Sequence, residues 1–100
     1  VNRPLPAERQ HNDSPLILFV TGEAPRSRRA HLNLTAALDE TGIDVAPPRE
    51  IDLLREPQEA ISFDIFATPA LLHIEGSGHR RVLYGDLSDK QSLKDFLSAL

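Results

Sequence analysis

The run Leu16-Ile17-Leu18-Phe19-Val20 constrains this chain most: five consecutive apolar residues, followed by Thr21 and stopped at Gly22. An amphipathic helix would interrupt such a run with polar residues, and a strand with one wet face would alternate. The shortness of the run, its β-branched and aromatic members and the glycine stop favour a strand over a buried helical turn. A strand apolar at every position is buried on both faces, so its sheet needs a covering layer on each side. That requirement selects an α/β architecture.

The following segments supply those layers. Pro25 suits a first helical turn, where its missing N–H would be unpaired anyway. From there Ala30, Leu34, Ala37 and Leu38 fall on one face, and Gly42 is placed to end the helix. Val45 to Leu54 reads as a second strand, completing a strand–helix–strand unit with a parallel pair. Pro47 and Pro48 cannot donate ladder bonds, which assigns that strand to a sheet edge. Pro57 to Phe66 is a short helical pattern with Ala60, Ile61, Ile65 and Phe66 turned inward. Ala70–Glu75 and Arg81–Tyr84 are strands joined by Gly76-Ser77-Gly78 into an antiparallel hairpin. In the last helix Ser88 is expected to cap the Gln91 amide while Gln91 reaches back, with Leu93, Phe96, Leu97 and Leu100 buried. The order β-α-β-α-β-β-α with a mixed four-stranded sheet is that of the thioredoxin fold. Residues 1–15, with three prolines and many polar side chains, read as a flexible leader before one domain spanning 16–100.

Composition narrows the chemistry. Cysteine is absent, which excludes disulfides, thiolate metal sites and cysteine nucleophiles. Lys plus Arg total 11 against 15 acids, a net charge of −4 that argues against a nucleic-acid binder. No apolar run reaches the ~18 residues of a membrane span, and the first fifteen residues do not resemble a signal peptide, so a cytoplasmic location is expected. His11, His31, His73 and His79 show no metal spacing, and neither a metal nor a cofactor is expected. Charge is uneven: Arg26, Arg28 and Arg29 cluster, whereas residues 39–64 hold eight acids against Arg49 and Arg55.

Several segments carry a family likeness. Leu18-Phe-Val-Thr-Gly-Glu-Ala-Pro-Arg-Ser27, Ile51-Asp-Leu53, Ala67-Thr-Pro69 and Arg80-Arg-Val-Leu-Tyr-Gly-Asp-Leu-Ser-Asp89 resemble the KaiB family in order and near-spacing, over about residues 16–97. The resemblance implies a small, non-enzymatic clock or stress-response protein that binds a KaiC-type, RecA-like ATPase or a related signalling protein. As an alternative it admits a KaiB-like sensory domain of a histidine kinase. Members of the family can switch between an oligomeric fold and a monomeric thioredoxin-like one, so monomer and homo-oligomer both stay open. Where the family has a proline-rich segment before its paired arginines, this chain has Glu75-Gly-Ser-Gly-His79. That turn, with Phe96 and Leu97 anchoring the last helix, is expected to favour the thioredoxin-like state, because two competing folds must lie within a few kcal/mol of each other.

Candidate site residues follow from the fold and the likeness. Glu23-Ala-Pro-Arg-Ser27 stands where thioredoxins carry their redox motif; without a thiolate, disulfide exchange is excluded. Ser27 has two readings, a glutathione-activating hydroxyl in an enzyme or a plain helix cap. Pro69, after Thr68, falls where thioredoxin-like folds hold a cis proline, and the resemblance implies a cis bond shaping the approach to the third strand. Arg26, Arg28 and Arg29 oppose the helix dipole, which suggests either a basic edge facing a partner or, for Arg29, pairing with Asp52 or Asp86. Arg80 and Arg81 match the family's paired arginines and are the stronger partner contacts, though a strand sends them to opposite faces. Asp86 and Asp89 sit ahead of the last helix, where negative charge is favourable.

Overall fold

In a computed structural model, residues 14–100 are described. The expected leader therefore lies outside the described residues, apart from Ser14 and Pro15. The elements are β1 (Leu16–Val20), α1 (Pro25–Thr41), β2 (Arg49–Asp52), α2 (Gln58–Ser62), β3 (Ala70–Ile74), β4 (Arg80–Tyr84) and α3 (Lys90–Leu97). The sheet order is β2-β1-β3-β4, with β1 and β2 parallel and the other pairs antiparallel. All five residues of β1 are buried, as its unbroken apolar run requires of a central strand.

Strand alternation divides the core in two. Leu16, Leu18, Val20 and Leu71 pack beneath α1 and α3, against Ala30, Leu34, Ala37, Leu93, Phe96 and Leu97. Ile17, Phe19, Ile51, Ala70 and Leu72 face the other way, toward Ile65, Ala60 and Phe63 around α2. Gly42 ends α1 in the left-handed conformation, φ 65°, its amide bonding to the Leu38 carbonyl at 3.1 Å. The Glu75–His79 turn closes with Glu75 N–H to His79 O and Gly78 N–H to Glu75 O, both at 2.8 Å. The Thr68–Pro69 bond is cis.

Four local expectations are corrected. β2 begins only at Arg49, beyond the two prolines, which cannot join a ladder. α2 is five residues long; Asp64 at φ 58° breaks it, so Ile65 turns into the core while Ile61 and Phe66 stand 82% and 85% exposed. Asp89, not Ser88, caps α3: its carboxylate accepts the Ser92 amide at 3.1 Å, and Gln91 reaches forward to Asp95 instead. The buried Leu87, at φ 63°, turns the chain so that helical geometry starts one residue late. Leu100 lies beyond the helix and is exposed.

Candidate docking surface

The carboxyl end of β1 is a clasp. The Thr21 amide donates to Ser27 Oγ at 3.0 Å, and the Thr21 and Thr68 hydroxyls share a short hydrogen bond. Asp52 Oδ1 accepts the amides of Gly22 and Leu54, each at 2.9 Å. Those two amides, Leu54 first, with Arg55 nearby, hold the Asp52 carboxyl below the ordinary carboxylate range. Gly22 sits at φ 52°, and a Cβ there would lie 2.8 Å from Leu54 Cδ1. Ser27 is therefore no helix cap: Ala24 holds that position without a side-chain bond, and Ser27, 2% exposed, ties β1 to α1. A cleft of about 240 Å³ beside it is bordered by Glu23, Arg28, His31 and Glu50. In this cleft the hydroxyl oxygen of Ser27 is occupied by a backbone amide.

The arginines of α1 differ in their commitments. Arg28 pairs with Glu23 at 3.0 Å on the surface. Arg29 Nε meets Asp86 Oδ2 at 3.1 Å, and Asn33 donates to the Asp86 carbonyl at 2.9 Å. The Ser88 hydroxyl, then Arg29 and the Ser88 amide, lower the Asp86 carboxyl from its ordinary range, while the Ser92 amide does the same for Asp89. These bonds stitch α1 to the turn before α3. Arg26 is exposed and makes no ion pair among the described residues.

On β4 the two arginines part, as strand alternation demands. Arg81 turns under α3. Its Nη2 lies 2.8 Å from both His73 Nδ1 and the Phe96 carbonyl, and its guanidinium sits 4.4 Å from the centre of the Phe96 ring. Nε stands 3.6 Å from Glu75, an ion pair too long for a hydrogen bond. Because arginine has only donors, His73 Nδ1 must accept, which assigns the proton of a neutral ring to Nε2. His73 is 4% exposed; burial first and then Arg81 push its pKa down, against the pull of Glu75. Arg81 is thus committed to its own fold.

Arg80 points to the α2 side, exposed and 3.2 Å from the freely accessible carboxylate of Asp64. At the other end of the strand, on the same face, the rings of Phe66 and Tyr84 lie 5.0 Å apart, Tyr84 itself 37% exposed. The sequence pattern placed Phe66 inward and missed this aromatic pair. The signal for it was present: Thr68 precedes a proline and disfavours helix, leaving Phe66 no regular turn to hold it inward. Of the five candidate arginines, Arg26 faces solvent without an ion pair among the described residues, Arg28 and Arg80 hold only surface ion pairs, and Arg29 and Arg81 join elements. Among the described residues no cluster of three or more His, Cys, Asp or Glu could hold a metal, and no helix is long and apolar enough to cross a membrane.

Comparison with known proteins places this geometry. The family model described as "KaiB domain" matches residues 17–99. The circadian clock oscillator protein KaiB of Synechococcus sp. (strain RCC307) is 40% identical over 76 residues, covering 76% of this chain and 68% of the relative. Its namesake in Prochlorococcus marinus (strain MIT 9312) is 38% identical over 78 residues, covering 78% and 73%. Among solved structures, the N-terminal domain of Synechococcus elongatus SasA superposes with a TM-score of 0.63 at 28% identity, covering 84% of this chain and 74% of that one. Mitochondrial thioredoxin 3 of Saccharomyces cerevisiae gives 0.68 at 15% identity, covering 85% and 76%, a likeness of fold alone.

Proposed function

The chain belongs to the KaiB family, and from that membership we propose that it acts as a docking protein of a KaiC-type, RecA-like ATPase in clock-like or stress-response regulation. One observation carries the choice of surface: the exposed Phe66–Tyr84 pair lies on the same face of β4 as Arg80, so aromatic area and a guanidinium are both left open on the α2 side. Aromatic residues and arginine dominate the energetics of protein interfaces. Arg26, at the head of α1, is a second contact; Arg29 and Arg81 support the surface from within. Docking alters the ATPase cycle only as far as this protein binds one state of the ATPase better than another.

The test is calorimetric titration of a KaiC-type ATPase hexamer with the parent protein and with the Phe66→Ala/Arg80→Ala double variant. Both replaced side chains are exposed, so the variant keeps its fold while affinity falls at least about tenfold. Unchanged affinity removes the surface assignment, and no binding by the parent removes the docking function. The likeness to a domain that is itself part of a larger protein supports a second reading, a KaiB-like sensory unit of a histidine kinase. A reading frame that continues into a kinase domain decides for it. A glutathione-using enzyme built on Ser27 has less support, because that hydroxyl is buried and already accepts the Thr21 amide. Titration with glutathione is expected to give no binding heat.

A further inference from the structure

Among the described residues β4 is the last strand of the sheet on the hairpin side, with no neighbour beyond it. Its ladder with β3 fixes which backbone groups remain unpaired. The Glu75 amide bonds to the His79 carbonyl at 2.8 Å, and the Gly85 amide to the Pro69 carbonyl at 2.9 Å. Between those two closures the register pairs His73 with Arg81 and Leu71 with Leu83. Hydrogen-bonded and non-bonded pairs alternate in an antiparallel ladder, so Arg81 and Leu83 spend their N–H and C=O groups on β3. Arg80, Val82 and Tyr84 turn theirs outward.

The same three residues send their side chains to the α2 side. Val82 packs against the α2-side core, Arg80 meets Asp64, and Tyr84 meets Phe66. One edge therefore presents three N–H/C=O pairs together with a guanidinium at one end and an aromatic pair at the other. We propose that this edge accepts an extended segment of the docked partner as a fifth, antiparallel strand, with a carboxylate opposite Arg80 and apolar residues opposite Val82 and Tyr84. The inference rests on the docking function and states how the contact is made.

An antiparallel neighbour meets each outward residue with both an N–H and a C=O, which makes it the matching orientation. In that orientation the segment reads, from its amino end, apolar–x–apolar–x–acidic. The acidic choice follows from Arg80, which already holds one carboxylate, that of Asp64, through Nη2 alone. A guanidinium carries five donors in a planar fork, enough for a second carboxylate. The Asp64 pair is exposed, so rearranging it costs little. Main-chain bonds supply affinity in this kind of contact and the alternate side chains supply selectivity.

Val82→Pro tests the main-chain part. It deletes an outward N–H that the β3 ladder does not use, and proline is tolerated on an edge strand in that position. Binding of the KaiC-type ATPase is expected to weaken at least about tenfold, with Val82→Thr close to the parent. A folded Val82→Pro protein that binds as tightly as the parent overturns the strand contact while leaving docking intact. A second measurement needs neither the variant nor the ATPase. The unmodified protein is titrated with the peptide acetyl-SFTVTES-amide under two-dimensional NMR, and the amide signals of Arg80, Val82 and Tyr84 are expected to shift most. A peptide with lysine in place of glutamate is expected to bind about tenfold more weakly. Shifts that avoid β4, or equal binding of the two peptides, overturn the proposal. If the parent fails to bind the ATPase but the acidic peptide docks on β4, the docking function falls and the strand site stands.

Discussion

The two faces of the sheet are built to different standards. Under α1 and α3, the side chains of β1 and β3 are sealed by helices of 17 and 8 residues. On the opposite face α2 has five residues, and Phe66, Ile61 and Tyr84 remain in contact with water. β4 contributes to both faces, so neighbouring residues of the same type have different tasks. Arg81 is held by His73, Phe96 and Glu75, while Arg80 pairs with the carboxylate of an exposed aspartate. The sealed face keeps the fold together, and the thinly covered face is the one on which docking is proposed.

The sharpest way to break this contrast is to truncate one aromatic residue on each face. Phe96→Ala removes a ring packed in the sealed core and is expected to cost about 3–4 kcal/mol, read from urea midpoints. Phe66→Ala, on an exposed ring, is expected to stay within about 0.5 kcal/mol. Comparable losses would mean that the α2 side is as structural as the other. Next in size are the arginines. Arg81→Ala unseats the guanidinium that joins β4, β3 and the end of α3, for about 2 kcal/mol. Arg80→Ala gives up an exposed ion pair, worth less than about 1 kcal/mol. In the parent protein the same packing predicts a single set of amide resonances; a second, slowly exchanging set would show that the sealed face does not hold one fold.

A smaller effect separates the two candidates for the α3 cap. Asp89→Ala is expected to lower stability by about 1 kcal/mol, and Ser88→Ala by much less, because Asp89 is the side chain bonded to the Ser92 amide. The reverse order would restore the sequence-based assignment.

How far the sequence reveals this structure depends on whether a signal is local. The β1 run, the Pro25 start, the Gly42 stop and the Gly76-Ser77-Gly78 turn declare themselves within a few residues, and with them the order and mixed sense of the strands. The KaiB likeness is legible for the same reason, as short motifs in fixed order. The site is less legible because exposure is a property of the assembled molecule. Ile61 and Phe66 fit an inward stripe at helical spacing, until Asp64 takes a positive φ and ends the helix. Paired arginines look alike in sequence; alternation predicts that they diverge, but only the packing of α3 determines that Arg81 is the internal one. Ser27 likewise reads as a cap until its partner, the Thr21 amide six residues earlier, is seen.

The last contrast is between protons on the sealed face and on the surface. His73 is neutral in the fold because Nδ1 accepts from Arg81, and a proton there would replace that bond with two facing cations. The groups facing it are Arg81 from β4, Glu75 from the end of β3 and the Phe96 ring from α3. The folded-state pKa is below the ordinary 6.5, so between the two values the unfolded chain binds more protons than the folded one. Stability from this source is complete above about pH 6.5 and is lost as pH falls toward the folded-state value. Asp52, Asp86 and Asp89, also lowered, add their own losses only as pH drops below the ordinary carboxylate value of 3.8. Urea midpoints measured from pH 7.5 to 5 should therefore decline, and His73→Gln, whose amide can still accept from Arg81, should flatten the decline. A decline unchanged by His73→Gln would show that the proton is taken up elsewhere and that the sealed face is not the pH-sensitive one.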